Sequence, residues 1–234
     1  MNILTSNILF GIVLSLLSFE IGLLIYKKTK MPIFNPLLIA IAIIIAVLVI
    51  FNIDFNSYNN GGQFINMFLG PATVVLAVPL YKQFHLLKEN FVPIIIGIFV
   101  GCLVGIFSVI ALCISFGIEN VLTKSLLAKS VTTPIGIEIT NQLGGLVPVT
   151  VLAIILSGII GAVAGPTLCK LFKIKNELAI GIAIGTASHA VGTTKALELG
   201  ETQGAMSSLS IGIAGIMTVF LAPICFKLIT LFLS

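Results

Sequence analysis

Charged side chains are scarce in this chain, and arginine is missing altogether. Only 9% of the 234 residues are charged and 58% are hydrophobic, against roughly 25% charged in an average soluble domain. That deficit excludes an ordinary water-soluble fold, whose exterior must meet water however large its core. Twelve lysines against eight acids leave a net charge of +4. The lysines sit at the ends of apolar runs, so the surplus reads as orientation in a membrane and not as nucleic-acid binding. Catalytic signatures are also absent. There is no Walker loop, no Gly-x-Ser-x-Gly elbow, no His-Glu-x-x-His helix and no paired-cysteine motif, so no enzyme is expected. Ser188 and His189 are neighbours, but adjacency in sequence is not a triad. Cys102, Cys113, Cys169 and Cys225 stand singly in or beside apolar runs. They have neither metal spacing nor a disulfide framework, and no metal or cofactor is expected. The N-terminus lacks the basic start and cleavage site of a signal peptide, so the first span is expected to stay attached.

What is present is apolar length. The expected fold is all-α and polytopic, with about seven to nine membrane segments of ~20 residues. Ordinary spans are expected over residues 7–26, 34–51, 91–117, 147–169 and 204–226, with a polar loop over 52–62. Residues 118–129 read as an amphipathic connector between a first membrane repeat, 1–117, and a second, 130–234. Gly97, Gly101 and Gly105 follow small-xxx-small spacing, which lets helices approach closely. His85 lies among lysines and reads as surface.

Three stretches do not read as ordinary spans. Residues 70–79 carry Gly70, Pro71, Thr73 and Pro79; residues 130–138 carry Thr132, Thr133, Pro134 and Glu138. Residues 185–195 carry Gly185, Ser188, His189, Gly192, Thr193, Thr194 and Lys195. Proline removes a backbone donor and crowds the preceding turn, so such segments are kinked or broken. Non-helical backbone is tolerated at membrane depth only where protein or a wet cavity shelters it. A broken helix presents free N–H groups and a positive dipole end, which suit an anion. The candidate ligand-binding residues are therefore Thr73, Thr132, Thr133, Ser188, His189, Thr193, Thr194 and Lys195. The competing reading is that these hydroxyls bond their own helix carbonyls and that Lys195 marks an interface. Glu20 and Glu138 are candidate coupling or structural carboxylates; a charge at mid-bilayer costs roughly 2.5–3.5 kcal/mol on insertion scales.

A shift of 115 residues lays Gly70 on Gly185, Ala72 on Ala187, and Ile96-Gly97-Ile98 on Ile211-Gly212-Ile213. An N-terminus outside and a C-terminus in the cytoplasm put Lys27, Lys28, Lys30, Lys82, Lys88, Lys170, Lys173, Lys175 and Lys227 on the cytoplasmic side. The two repeats are then expected to be inverted, as in many secondary transporters. The crossing count leaves open whether 118–129 crosses or 130–144 fails to span.

Several motifs together resemble the LrgB/CidB family of membrane proteins. They are Leu69-Gly70-Pro71-Ala72-Thr73-Val74 with Val78-Pro79-Leu80-Tyr81, then Lys129-Ser130-Val131-Thr132-Thr133-Pro134-Ile135. The third is Gly185-Thr186-Ala187-Ser188-His189-Ala190-Val191-Gly192-Thr193, running on through Glu198, Gly200-Glu201 and Gly204-Ala205. Phe19-Glu20 and Asn35-Pro36 also fit, and Ala190 departs from the glycine expected after the histidine. The resemblance covers nearly the whole chain. It implies a multi-pass protein of the bacterial cell membrane, a small LrgA/CidA-type membrane partner and a homo-oligomer. It also implies two competing activities. One is alternating-access transport of small monocarboxylates of the pyruvate, lactate and glycolate class, as in the related plastid glycolate/glycerate translocator. The other is holin- or antiholin-like control of murein hydrolase activity and lysis. A scaffold that only binds its partner is a third, plainer reading.

Overall fold

The computed structural model describes residues 7–29, 34–68, 71, 74, 81 and 84–233, all of them helix, turn or short connection. The chain forms two compact units, Met1–Val75 and Leu76–Ser234. Four helices among the described residues are long and apolar enough to cross a membrane.

The first unit contains α1 (Ile8–Thr29), α2 (Pro36–Ile50) and α3 (Phe55–Asn66). The apolar run of α1 ends at Lys27 and Lys28, whose charges cannot enter hydrocarbon cheaply. Asn35 caps α2 by accepting the Leu37 N–H at 2.9 Å, with Pro36 at the first helical position. Asp54 caps α3 in the same way, accepting the Asn56 N–H at 3.0 Å. The stretch expected to be a polar loop is thus largely an amphipathic helix. It packs on α1 where glycines meet: a Cβ added at Gly61 would lie 2.7 Å from the Gly11 Cα. Tyr58 and Ser15 share a hydroxyl hydrogen bond of 3.0 Å across the same contact.

The second unit holds α4 (Phe84–Glu89), α5 (Phe91–Ser115), α6 (Asn120–Leu126), α7 (Thr133–Leu143), α8 (Val147–Leu171), α9 (Glu177–Leu199) and α10 (Glu201–Leu233). Three of these, α5, α8 and α10, meet the length and hydropathy needed to cross a bilayer. Two apolar clusters fix how α5 and α10 run. Ile94 and Ile98 pack with Ala205 and Met206, and Ile106, Val109, Ile110 and Cys113 pack with Ala222 and Cys225. Early residues meet early residues and late meet late, so the two helices are parallel. The 115-residue shift pairs these two helices, so they are not inverted copies of one another.

Between the crossings lie two helical hairpins. The first is α6 and α7, joined by non-helical residues 127–132. Near its open end Ser125 accepts the Leu146 N–H at 2.7 Å, beside the start of α8. At its tip the Lys129 carbonyl accepts the Ser157 hydroxyl at 2.5 Å, part-way along α8. The chain therefore enters at the Gly144 end, turns at mid-span and returns. α7, with 11 residues, is about 16 Å long, too short for a ~30 Å hydrocarbon core. Residues 130–144 thus do not span the membrane.

The second hairpin is α9 itself. His189 has φ 42 and ψ −139, and the helix breaks there into limbs 177–188 and 190–199. The limbs fold back on each other: a Cβ at Gly192 would sit 3.2 Å from the Ile184 carbonyl oxygen. Eight residues along one straight helix would separate those groups by about 12 Å. Both limbs also touch the start of α10, Gly181 through the Gln203 backbone and Leu197 through Gly204. A helix that turns back at His189 does not cross the membrane, so 177–199 is not a further crossing. The reversal removes one crossing, so α10 starts at the end bearing Lys170, Lys173 and Lys175. Lys227 therefore lies at the opposite end from those lysines.

Candidate functional site

The two hairpin tips enter from opposite ends and meet on the middle of α8. Lys129 of the first binds Ser157 through its carbonyl. His189 of the second places Nε2 2.9 Å from the Ile154 carbonyl oxygen. A carbonyl only accepts, so Nε2 carries the ring proton. Two glycines of α8 make this docking possible. A Cβ at Gly158 would lie 2.7 Å from the His189 ring, and one at Gly161 would overlap the Ser188 hydroxyl. Hydroxyls from α8 also satisfy carbonyls that the first hairpin leaves open. Thr150 donates to the Ser125 carbonyl at 2.8 Å and shares a 2.7 Å bond with Thr140. Such pairing is what keeps irregular backbone tolerable at membrane depth.

At the meeting point the chain presents two helix N-termini, those of α7 and of the second limb of α9. Thr132, the N-cap of α7, makes no side-chain capping bond. Both positive dipole ends lie at mid-span, where the low dielectric strengthens them.

A cavity of about 710 Å³ runs along α5 and the first limb of α9 to this point. Asn90 and Asn176 line it at the lysine-rich end of α8. Gly97, Gly101 and Gly105 form one wall. A Cβ at Gly105 would meet nothing within 4 Å and one at Gly97 would touch only Ile182 at 3.9 Å. The small-xxx-small stripe thus opens space along α5 more than it seats a neighbouring helix. Lys129, Ser130 and Thr186 line the inner end, and the same three line the small space beyond it with Cys102 and Thr218. Among the described residues Lys129 is the one charged residue of the lining. Its ammonium donates to the Ser130 hydroxyl at 3.1 Å, and no carboxylate bonds it among the described residues. Thr186 is 7% exposed, and its hydroxyl has no hydrogen-bond partner among the described residues.

The residues singled out from sequence fall in several places. Ser188, His189 and Thr193 are buried, at or just beyond the second tip. Thr193 donates to the His189 carbonyl at 3.0 Å and shares a 2.7 Å bond with Ser207. Thr132 and Thr133 are half-buried at the first tip, with Pro134 exposed beside them. Thr194 is exposed and donates to the Val191 carbonyl at 2.8 Å. Lys195 pairs with Glu198 at 2.6 Å. Glu138 is exposed on α7 and accepts from Gln142 at 3.3 Å, and Glu20 is exposed on α1. Gly185 and Gly192 are packing positions, the first against Ser207 of α10 and the second against Ser188 and Ile184. Pro71 is exposed, while Gly70, Thr73 and Pro79 lie outside the described residues. Tip residues are thus brought together on α8, but the cavity end is lined by Lys129, Ser130 and Thr186, which the sequence reading did not select. His85 is exposed, and all four cysteines are free and buried.

Apolar crossings and sheltered hairpins define an all-α, multi-pass membrane protein. The profile of the LrgB-like family matches residues 15–228, and the chain belongs to that family. YxaC of Bacillus subtilis (strain 168), described as an uncharacterized protein, is 41% identical over 200 residues, 86% of this chain and 87% of that protein. Antiholin-like protein LrgB of the same organism is 37% identical over 221 residues, 94% of this chain and 96% of that one. Antiholin-like protein LrgB of Bacillus cereus (strain B4264) is 36% identical over 215 residues, covering 92% and 94%. No solved structure matches the chain.

Proposed function

We propose that this protein is a secondary carrier of small monocarboxylates working by alternating access. The observation that supports it is the pair of opposed hairpins meeting at mid-span on α8. Discontinuous helices whose N-termini face a midplane anion are a recurring carrier design. An anchor or a simple helix bundle has no use for backbone that is so costly to shelter. In this reading the inverted pair is a hairpin followed by a span, α6 to α8 and α9 to α10. A shift of 57 residues lays Thr133, the start of α7, on Ala190, the start of the second α9 limb. The same shift lays Pro166 of α8 on Pro223 of α10. The second hairpin swings about His189 to close the cavity at the end lined by Asn90 and Asn176 and open the opposite side. The positive-inside rule places the end with Lys170, Lys173 and Lys175 in the cytoplasm and the end of α10 outside. Lys27 and Lys28 place the start of α1 outside by the same rule. A small LrgA/CidA-type membrane protein is the partner implied by the family, and homo-oligomerisation is part of the proposal.

Purified protein in liposomes tests this through uptake of labelled pyruvate, lactate and glycolate, with and without the small partner. Saturable uptake with counterflow is expected; no uptake of any of these acids overturns the carrier reading. The second reading is antiholin-like control of lysis, favoured by the names of the relatives at 36–37% identity. It requires oligomerising helices and no ligand site. Lysis control that survives replacement of the residues at the hairpin tips, without carboxylate flux, supports it.

A further inference from the structure

We infer that Lys129, Ser130 and Thr186 form a binding subsite for a small monoanion at the inner end of the cavity, with Gly101 setting its size. The inference deepens the carrier reading and rests on it for its place in transport.

The buried Thr186 hydroxyl, which has no hydrogen-bond partner among the described residues, is the first observation, and Thr186 lines the inner end of the cavity. Helical threonines ordinarily bond a carbonyl one turn back, as Thr193 and Thr194 do on the second limb of the same hairpin. A buried polar group left unpaired asks for an explanation, and a ligand oxygen supplies one. Charge is the second observation. Among the described residues Lys129 is the only charged one lining the cavity, and its ammonium donates to a neutral hydroxyl. One ammonium balances one negative charge. A dianion would bring a second charge into a low-dielectric site with nothing to meet it. Shape is the third. Glycine at 97 and 105 leaves open space, whereas a Cβ at Gly101 would press on the Thr186 methyl at 2.9 Å. The donor set therefore fits a monocarboxylate with one further acceptor oxygen. The carboxylate meets Lys129 and Ser130, and the second oxygen takes the Thr186 hydroxyl.

Calorimetric titration of the detergent-purified full chain with pyruvate, propionate and malonate tests this. Wild type is expected to bind pyruvate more tightly than propionate, which lacks the second oxygen, and malonate most weakly. Lys129→Met should weaken pyruvate binding by about tenfold or more, with Lys129→Arg retaining part of it. Thr186→Val should bring pyruvate and propionate to about the same affinity, a loss of roughly tenfold for pyruvate alone. Thr186→Ser should keep the preference, and Gly101→Ala should weaken both acids. Monodisperse elution and an unreduced melting temperature of Thr186→Val separate loss of a contact from loss of fold. Unchanged pyruvate affinity in Lys129→Met and Thr186→Val overturns the subsite, as does a wild type that binds none of the three anions. If binding follows the expected pattern but liposomes show no uptake, the subsite stands and the carrier reading fails. If uptake occurs but the variants bind like wild type, the carrier reading stands and the subsite falls.

Discussion

Replacing Thr186 by valine should make the protein more stable while impairing ligand recognition. The Thr186 hydroxyl is buried and has no hydrogen-bond partner among the described residues. An unsatisfied buried polar group costs about 1–3 kcal/mol. Valine matches threonine in shape and puts a methyl where the orphaned hydroxyl stood. It leaves the branch facing Gly101 in place, 2.9 Å from where a Cβ would lie on that glycine. Taking the lower part of that range, the gain is about 1–2 kcal/mol. For a chain of this size each kcal/mol moves the melting temperature by about 2–4 °C, so a rise of about 2–8 °C is expected. Thermal unfolding in detergent, followed by far-UV circular dichroism without ligand, reads it. Adding pyruvate should raise the melting temperature of wild type more than that of the variant, because ligand bound only to the folded state stabilises it by mass action. A variant that melts several degrees below wild type would refute the reasoning. It would mean that the hydroxyl carries a structural bond.

Other predictions follow from the contacts at the hairpin tips. Gly158→Val should stop His189 from docking on α8 and cost about 1–3 kcal/mol, read as a lower melting temperature, because even a Cβ there lies 2.7 Å from the ring. Thr193→Val should destabilise by about 1–2 kcal/mol by stranding the buried Ser207 hydroxyl it bonds at 2.7 Å, and Thr193→Ser should restore most of the loss. Glu198→Gln should change melting and uptake little, since Glu198 is mostly exposed beside Lys195 and surface pairs are worth about 0–1 kcal/mol.

Hydropathy was enough to find the long crossings. The run at 91–117 is α5, Phe91–Ser115, and the run at 147–169 lies within α8, Val147–Leu171. The position of a break was also legible, because glycine, threonine and histidine crowd 185–195 and the reversal falls at His189. The kind of break was not. A kinked crossing and a hairpin need the same small and polar residues, and the difference lies in one pair of dihedral angles. That ambiguity carried into topology, since one crossing fewer moves Lys227 to the opposite end. Gly97 and Gly105 misled in a similar way, because the spacing that seats a helix at Gly101, against Thr186, hollows a wall on either side of it. Lys129 read as one more lysine ending a segment. Thr186 was one of several hydroxyl residues in a polar run, and only its missing partner in three dimensions sets it apart.

In the carrier reading the cavity opens on one side and ends at mid-membrane between two hairpin tips. Ala187 lines it next to the second tip and is exposed, while the native cysteines are buried. Labelling Ala187→Cys with a membrane-impermeant thiol reagent, in vesicles of either orientation, tests the claim directly. Labelling is expected from the face bearing Lys170, Lys173 and Lys175 at least about tenfold faster than from the other face, and slowed by pyruvate. Labelling at equal rates from both faces, unaffected by pyruvate, would contradict it and indicate a continuous pore.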